Sequence, residues 1–192
     1  MDLTKKQEII KLLFKDAETS YNSRNLSKVI GISHPGSFKI LKELEKNGIV
    51  KSKQVGKANI YSLNFDNPIA CKEIEMALTI ESQNYRRWIE EFREFENKSH
   101  FVILFGSILR DEKSARDVDI LVVADKSNFN KIRNIVREKD NILNKKVHLI
   151  LQLLEDFKND VHNHNKVIIE IIKNGIVLFG QDKIRQMLES LK

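Results

Sequence analysis

The stretch from Phe101 to Ala124, FVILFGSILRDEKSARDVDILVVA, decides how the second half of this chain folds. Its apolar opening, Phe101 to Phe105, runs straight into Gly106-Ser107. Nine residues separate that pair from Asp117-Val118-Asp119, which leads into a second apolar run, Ile120 to Val123. The pattern predicts a strand, a small-residue turn, a short helix or loop, and a second strand. Side chains on a strand alternate, so Asp117 and Asp119 face the same side. Two carboxylates on one side, beside a turn whose glycine lets backbone approach an anion, can hold a hard divalent cation and a polyphosphate.

Downstream, Asn128 to Val136 reads as a helix with Phe129, Ile132, Ile135 and Val136 inward. Residues 146–154, KVHLILQLL, read as a third strand, and Glu155 to Asp160 as a turn or short helix. Lys166 to Lys173 is apolar on one face and ends at Asn174-Gly175. Ile176 to Phe179 is a short strand and Asp182 to Leu191 a terminal helix. Strand and helix alternate, which predicts an α/β domain over 98–192 with a small mixed sheet.

Upstream, Asn67-Pro68 opens a helix with no breaker before Glu96. Cys71, Ile74, Leu78, Glu81, Tyr85, Trp88, Phe92 and Phe95 recur by threes and fours, a seam broken only by Glu81. A helix over 67–97 would span roughly 43 Å at about 1.5 Å per residue, enough to link two domains. Such a seam suits pairing with its copy in a second chain, a homodimer, or packing on its own two domains. Asn97-Lys98-Ser99 reads as a hinge.

Residues 3–16 place Leu3, Ile9, Ile10, Leu12, Leu13 and Phe14 largely on one side of a helix. Leu26, Val29 and Ile30 belong to a short helix closed by Gly31. Ser33 caps a third helix, with Pro35 in its first turn and Ile40, Leu41 and Leu44 inward. That helix ends at Asn47-Gly48, and two strands follow, Ile49 to Gln54 and Ala58 to Leu63, turned at Gly56-Lys57. The fold class expected for the whole is therefore α+β: a domain over 1–66, a linker helix over 67–97, and the α/β domain over 98–192.

Composition narrows the setting. The chain has 192 residues, a net charge of +6, and 41% hydrophobic residues. The basic excess lies at the two ends and the middle is acidic, which suits polyanion partners, nucleic acid or nucleotide. No apolar run approaches the roughly 20 residues that span a bilayer. The N-terminus lacks the apolar core of a secretory signal. Cys71 stands alone, which excludes a disulfide framework and a cysteine zinc site. A cytoplasmic protein with no membrane partner is the expectation.

Residues 25–64, NLSKVIGISHPGSFKILKELEKNGIVKSKQVGKANIYSLN, resemble the winged helix-turn-helix of prokaryotic transcriptional regulators. The resemblance implies double-stranded DNA as a partner. The second helix of the motif must enter the major groove with its N-terminal side chains at base edges. His34, Ser37, Phe38, Lys39 and Lys42 are the candidates, Ser37 being the small residue expected to turn inward. Phe38, where such domains usually carry a polar residue, suits a thymine methyl or a neighbouring domain. The wing offers Lys51, Lys53, Lys57 and Asn59 to phosphates, contacts that give affinity and register.

Residues 98–192 resemble the minimal nucleotidyltransferases of the DNA polymerase β superfamily. Gly106-Ser107, nine residues, then Asp117-Val118-Asp119 carry the resemblance, and the ending IIEIIKNGIVLFG is similar too. The resemblance implies Mg²⁺ or Mn²⁺ on Asp117 and Asp119, and an NTP, ATP first, held by Gly106 and Ser107. Arg110, Lys113 and Arg116 lie between the motifs, placed to meet phosphate or to form a solvated basic loop. Nucleotidyl transfer to a hydroxyl is the implied activity. Such domains often serve as antitoxins beside HEPN-type toxins, which adds a toxin protein as an implied partner.

One position departs from that pattern. Active members carry a third carboxylate on the next strand, and Lys146-Val147-His148-Leu149 stands there instead. Imidazole is a poor Mg²⁺ ligand. His148 therefore replaces the catalytic base, or shifts the metal toward Mn²⁺, or marks a domain that binds nucleotide without turning it over. A buried histidine donating to a backbone carbonyl is the structural alternative. Glu155-Asp156 supply an acid only in a different strand register. His162 and His164 diverge on a helix and read as surface residues.

Overall fold

The computed structural model describes residues 2–191. The chain divides into two compact units, Met1–Ile80 and Glu81–Lys192, with the division inside the segment expected as a linker.

In the first unit, α1 spans Lys5–Lys15, α2 Ser23–Ile30 and α3 His34–Lys46. Each start is capped by the side chain its sequence offers. Thr4 and Gln7 form a reciprocal capping box, as do Asn22 and Asn25, and Ser33 accepts from the Gly36 N–H. Gly31 closes α2 in the left-handed conformation at φ 69°. Strands β1 (Val50–Val55) and β2 (Ala58–Leu63) pair antiparallel, Val50 opposite Leu63. Their two-residue turn has positive φ at Gly56, 60°, the backbone that a hairpin turn of this length requires. Tyr21, ahead of α2, bridges to Tyr61 and donates its hydroxyl to Asp16 at 2.7 Å. Ile9, Leu26, Leu41, Leu44 and Tyr61 are buried. This is a winged helix-turn-helix.

Helix α4 begins at Pro68 but stops at Gln83. The N–H of Tyr85 bonds to the Ser82 carbonyl at 2.8 Å, a tightened turn, and a short α5 covers Arg86–Glu91. The expected continuous helix to Glu96 is thus broken. No sequence breaker is present; burial of three aromatic rings outweighs helix continuation, since packing supplies most helical stability. Trp88, Phe92 and Phe95 are buried, with ring centroids 6.0 and 5.5 Å apart in sequence order. They pack in one core with Val102, Leu104, Val118, Ile120 and Val122. Ile74 and Leu78 are fully buried as well. The seam expected to pair two chains is covered within one.

The second unit is built on a mixed four-stranded sheet ordered β5-β4-β3-β6. Its strands are β3 Phe101–Phe105, β4 Asp117–Val123, β5 Lys146–Gln152 and β6 Ile176–Phe179. β3 runs antiparallel to β4 and β6. β4 and β5 are parallel, and the helix α6, Phe129–Ile142, makes the crossover that a parallel pair needs. Helices α7 (Leu154–His162), α8 (Lys166–Asn174) and α9 (Gln181–Glu189) complete it. The central strands β3 and β4 are apolar on both faces, buried from Phe101 to Leu104 and from Ile120 to Val123.

Candidate active site and nucleic-acid interface

The open end of β4 carries the two acids because the strand begins there. Asp117 and Asp119 flank buried Val118, and the antiparallel register sets Asp119 opposite Phe105, one residue before Gly106. A short 3₁₀ turn, Ser107–Leu109, follows Gly106 at once. Gly106 has φ 83° and ψ −157°. A Cβ there would sit 2.0 Å from Asp119 Oδ2, so the turn and the carboxylate touch only because this residue is glycine. The first N–H groups of such a turn have no partner inside it and point outward. Burial, then the Asp117 carboxylate, push the Asp119 carboxyl above its ordinary range, and His148 opposes them.

His148 completes the cluster. The parallel register places it opposite Asp119. Its Nδ1 lies 3.3 Å from Asp117 Oδ2 and 3.4 Å from Asp119 Oδ1. Its side chain is 59% exposed, so the buried histidine bonded to backbone is not what stands here. One donor atom from each of the three residues falls within 4.8 Å of the others. Among the described residues no other group of His, Cys, Asp and Glu converges in this way. Two carboxylates fit a hard dication; an imidazole as third donor does not fit Mg²⁺, which takes oxygen.

Arg110 is exposed and, with Gly106, lines a cleft of about 620 Å³ shared with Tyr85, Glu170 and Asn174. Ser107 is half-buried beside it, and Lys113 and Arg116 are exposed. Glu155 pairs with Lys158 at 2.9 Å and lies in the first turn of α7, beyond the end of β5 and away from the acids. His162 and His164 are exposed, as expected for surface residues. Tyr85, Glu170 and Asn174 carry no sequence signal for this cleft. Periodicity puts the first in a helical seam, and the other two meet Gly106 only through the fold.

In the winged unit, His34, Phe38, Lys39 and Lys42 of α3 are exposed, as are Lys51, Lys53 and Lys57 of the wing. Ser37 is fully buried, turned inward as its size suggests, and cannot reach a base edge, which removes it from the reading set. Lys42 pairs with Glu45 at 2.8 Å and Lys51 with Asp66 at 2.6 Å; among the described residues Lys53 and Lys57 have no such partner. His34 Nε2 lies 3.0 Å from Ser23 Oγ. A cleft of about 510 Å³ gathers His34, Phe38 and Lys57 with Arg24, Asn59 and Tyr61. Arg24 is missing from the sequence candidates, although a cation in the first turn of a helix, where it opposes the dipole, is a signal.

The unit that carries the acid pair and the glycine turn lies within a known family. The family model described as "Polymerase beta, Nucleotidyltransferase" matches residues 88–184, just over half of the chain. The chain belongs to this nucleotidyltransferase family. The match takes in Trp88, Phe92 and Phe95 ahead of β3, in keeping with their place in the core of that unit. No curated protein matches. Solved structures with local likeness include Lactococcus lactis ZitR in complex with DNA, 22% identical, covering 47% of this chain and 62% of that one at a TM-score of 0.34. Another is the adhesin competence repressor AdcR from Streptococcus pyogenes, 12% identical over 59% of this chain and 83% of that one, TM-score 0.37. The chain thus spans less than two thirds of the ZitR chain. At such scores the likeness is slight, and the winged-helix assignment rests on the helices and hairpin themselves.

Proposed function

We propose that this chain moves a nucleotidyl group, adenylyl first, from an NTP to a hydroxyl acceptor, and that its winged unit binds double-stranded DNA. The observation that carries the first half is the contact between the Gly106 turn and Asp119. A turn that close to the paired acids supports a triphosphate held beside them. Gly106 and Ser107 hold the triphosphate, and Arg110 reaches it from the cleft. A divalent ion on Asp117 and Asp119 supplies charge neutralisation when bound. The acceptor oxygen bonds to the α-phosphorus and pyrophosphate leaves. Incubation with α-labelled ATP and Mg²⁺ or Mn²⁺ should label an acceptor, and Asp117→Ala with Asp119→Ala should abolish it. Label transfer that survives both changes would overturn the reading.

A second reading has its own support. His148 stands where an acid is expected, and a complete winged unit is attached. A DNA-binding regulator whose nucleotidyltransferase domain holds nucleotide without turnover fits both. The exposed His34, Phe38 and Lys39 of α3 and Lys53 and Lys57 of the wing support the DNA half. A two-fold dimer would suit a symmetric operator. With Trp88, Phe92 and Phe95 buried in the chain, its contact must fall elsewhere. An antitoxin role, with a toxin protein as the acceptor of transfer and the winged unit as repressor, combines the two readings. Co-purification with the product of an adjacent gene distinguishes it from a solitary regulator.

A further inference from the structure

We infer that His148 is a metal ligand, and that Asp117, Asp119 and His148 together hold one first-row transition-metal dication, Zn²⁺ and Co²⁺ ahead of Mn²⁺, in preference to Mg²⁺. The inference rests on the nucleotidyltransferase reading of the acid pair and deepens it. Three observations carry it. First, the parallel register fixes His148 opposite Asp119, so its closeness to the acids is set by the sheet and not by a chance rotamer. Second, Nδ1 stands 3.3 and 3.4 Å from one oxygen of each acid. Charge-assisted hydrogen bonds are shorter, about 2.7–2.9 Å. Donors that share an ion at about 2.0–2.2 Å are separated by roughly 3.0–3.5 Å, the spacing of the two nitrogen–oxygen pairs here. Third, the donor set is two oxygens and one imidazole nitrogen. Mg²⁺ takes oxygen, whereas nitrogen in the first shell favours the later first-row ions. The disagreement between this chain and an all-carboxylate site thus reads as a change of metal, with the histidine kept in the coordinating position.

The test uses the full metal-free chain, Mn²⁺ as the probe, and a non-hydrolysable ATP analogue present or absent. Mn²⁺ binding is followed by electron paramagnetic resonance, and pulsed measurements read coupling to imidazole nitrogen. The wild type should show nitrogen coupling and bind Mn²⁺ against excess Mg²⁺. His148→Ala should lose the coupling and weaken Mn²⁺ binding by at least the roughly 10–100-fold that loss of even an outer partner costs. His148→Asp, which keeps a donor, should restore binding without nitrogen coupling and let Mg²⁺ compete; it also guards against a merely misfolded alanine variant. Competition with Co²⁺ and Zn²⁺ ranks the class. Mn²⁺ bound in an Asp117-dependent manner without nitrogen coupling, or displaced equally well by Mg²⁺ in the wild type, overturns the ligand role and leaves nucleotidyl transfer standing. No Asp117-dependent ion with or without the analogue, together with no label transfer, overturns both.

Discussion

At Gly106 a single hydrogen atom makes room for a carboxylate. Gly106→Ala adds a Cβ 2.0 Å from Asp119 Oδ2 and forces an L residue to φ 83°. Strain of this kind costs on the order of 1–3 kcal/mol. The variant should lose stability by about that amount in denaturant unfolding, and lose label transfer. Asp119 behaves differently. Its folded carboxyl titrates above the ordinary value, so the folded chain binds that proton more readily than the unfolded one. Ionisation therefore weighs against the fold as pH rises from the ordinary value of 3.8 through the raised one, and the penalty is complete above both. Asp119→Asn should stabilise the metal-free protein slightly at neutral pH, the effect being reduced by solvent screening. The gain should vanish in melts run below the ordinary value.

At the scale of elements, the wing is the clearest case. Lys51, Lys53 and Lys57 look equivalent in sequence, yet Lys51 is tied to Asp66, and Lys42 on α3 is tied to Glu45. Glu45 also accepts from the Ser52 hydroxyl. A lysine that must leave an acidic partner gives less to phosphate binding. Removing one lysine–phosphate interaction lowers the salt slope of DNA affinity by roughly 0.9. Lys53→Ala and Lys57→Ala should each show most of that reduction and Lys51→Ala less, while Asp66→Asn should strengthen binding. Fluorescence anisotropy across a salt series measures all four. Equal effects at the three lysines would rule out the ion pairs as the cause.

At the scale of the whole molecule, the aromatic ladder of Trp88, Phe92 and Phe95 serves the core of the unit Glu81–Lys192. Phe92→Ala should destabilise that unit by about 3–5 kcal/mol. Trp88 is the single tryptophan and stacks 6.0 Å from Phe92, so its fluorescence reports that unfolding directly.

The sequence by itself determined the two kinds of fold, the order of their elements and the acid pair. Those features follow from short-range rules: alternation along β4, caps at Thr4, Asn22 and Ser33, and a glycine after an apolar strand. It also placed His148 on the next strand. Only the tertiary structure decided that α4 ends at Gln83, that Lys51 is paired, and that Tyr85, Glu170 and Asn174 meet beside Gly106. The periodicity of a buried seam is the same whether its partner is a second chain or the chain's own sheet, and ion pairs depend on through-space neighbours. The distance from His148 to both carboxylates belongs to this second class, because strand register across a crossover is set by packing of the whole sheet.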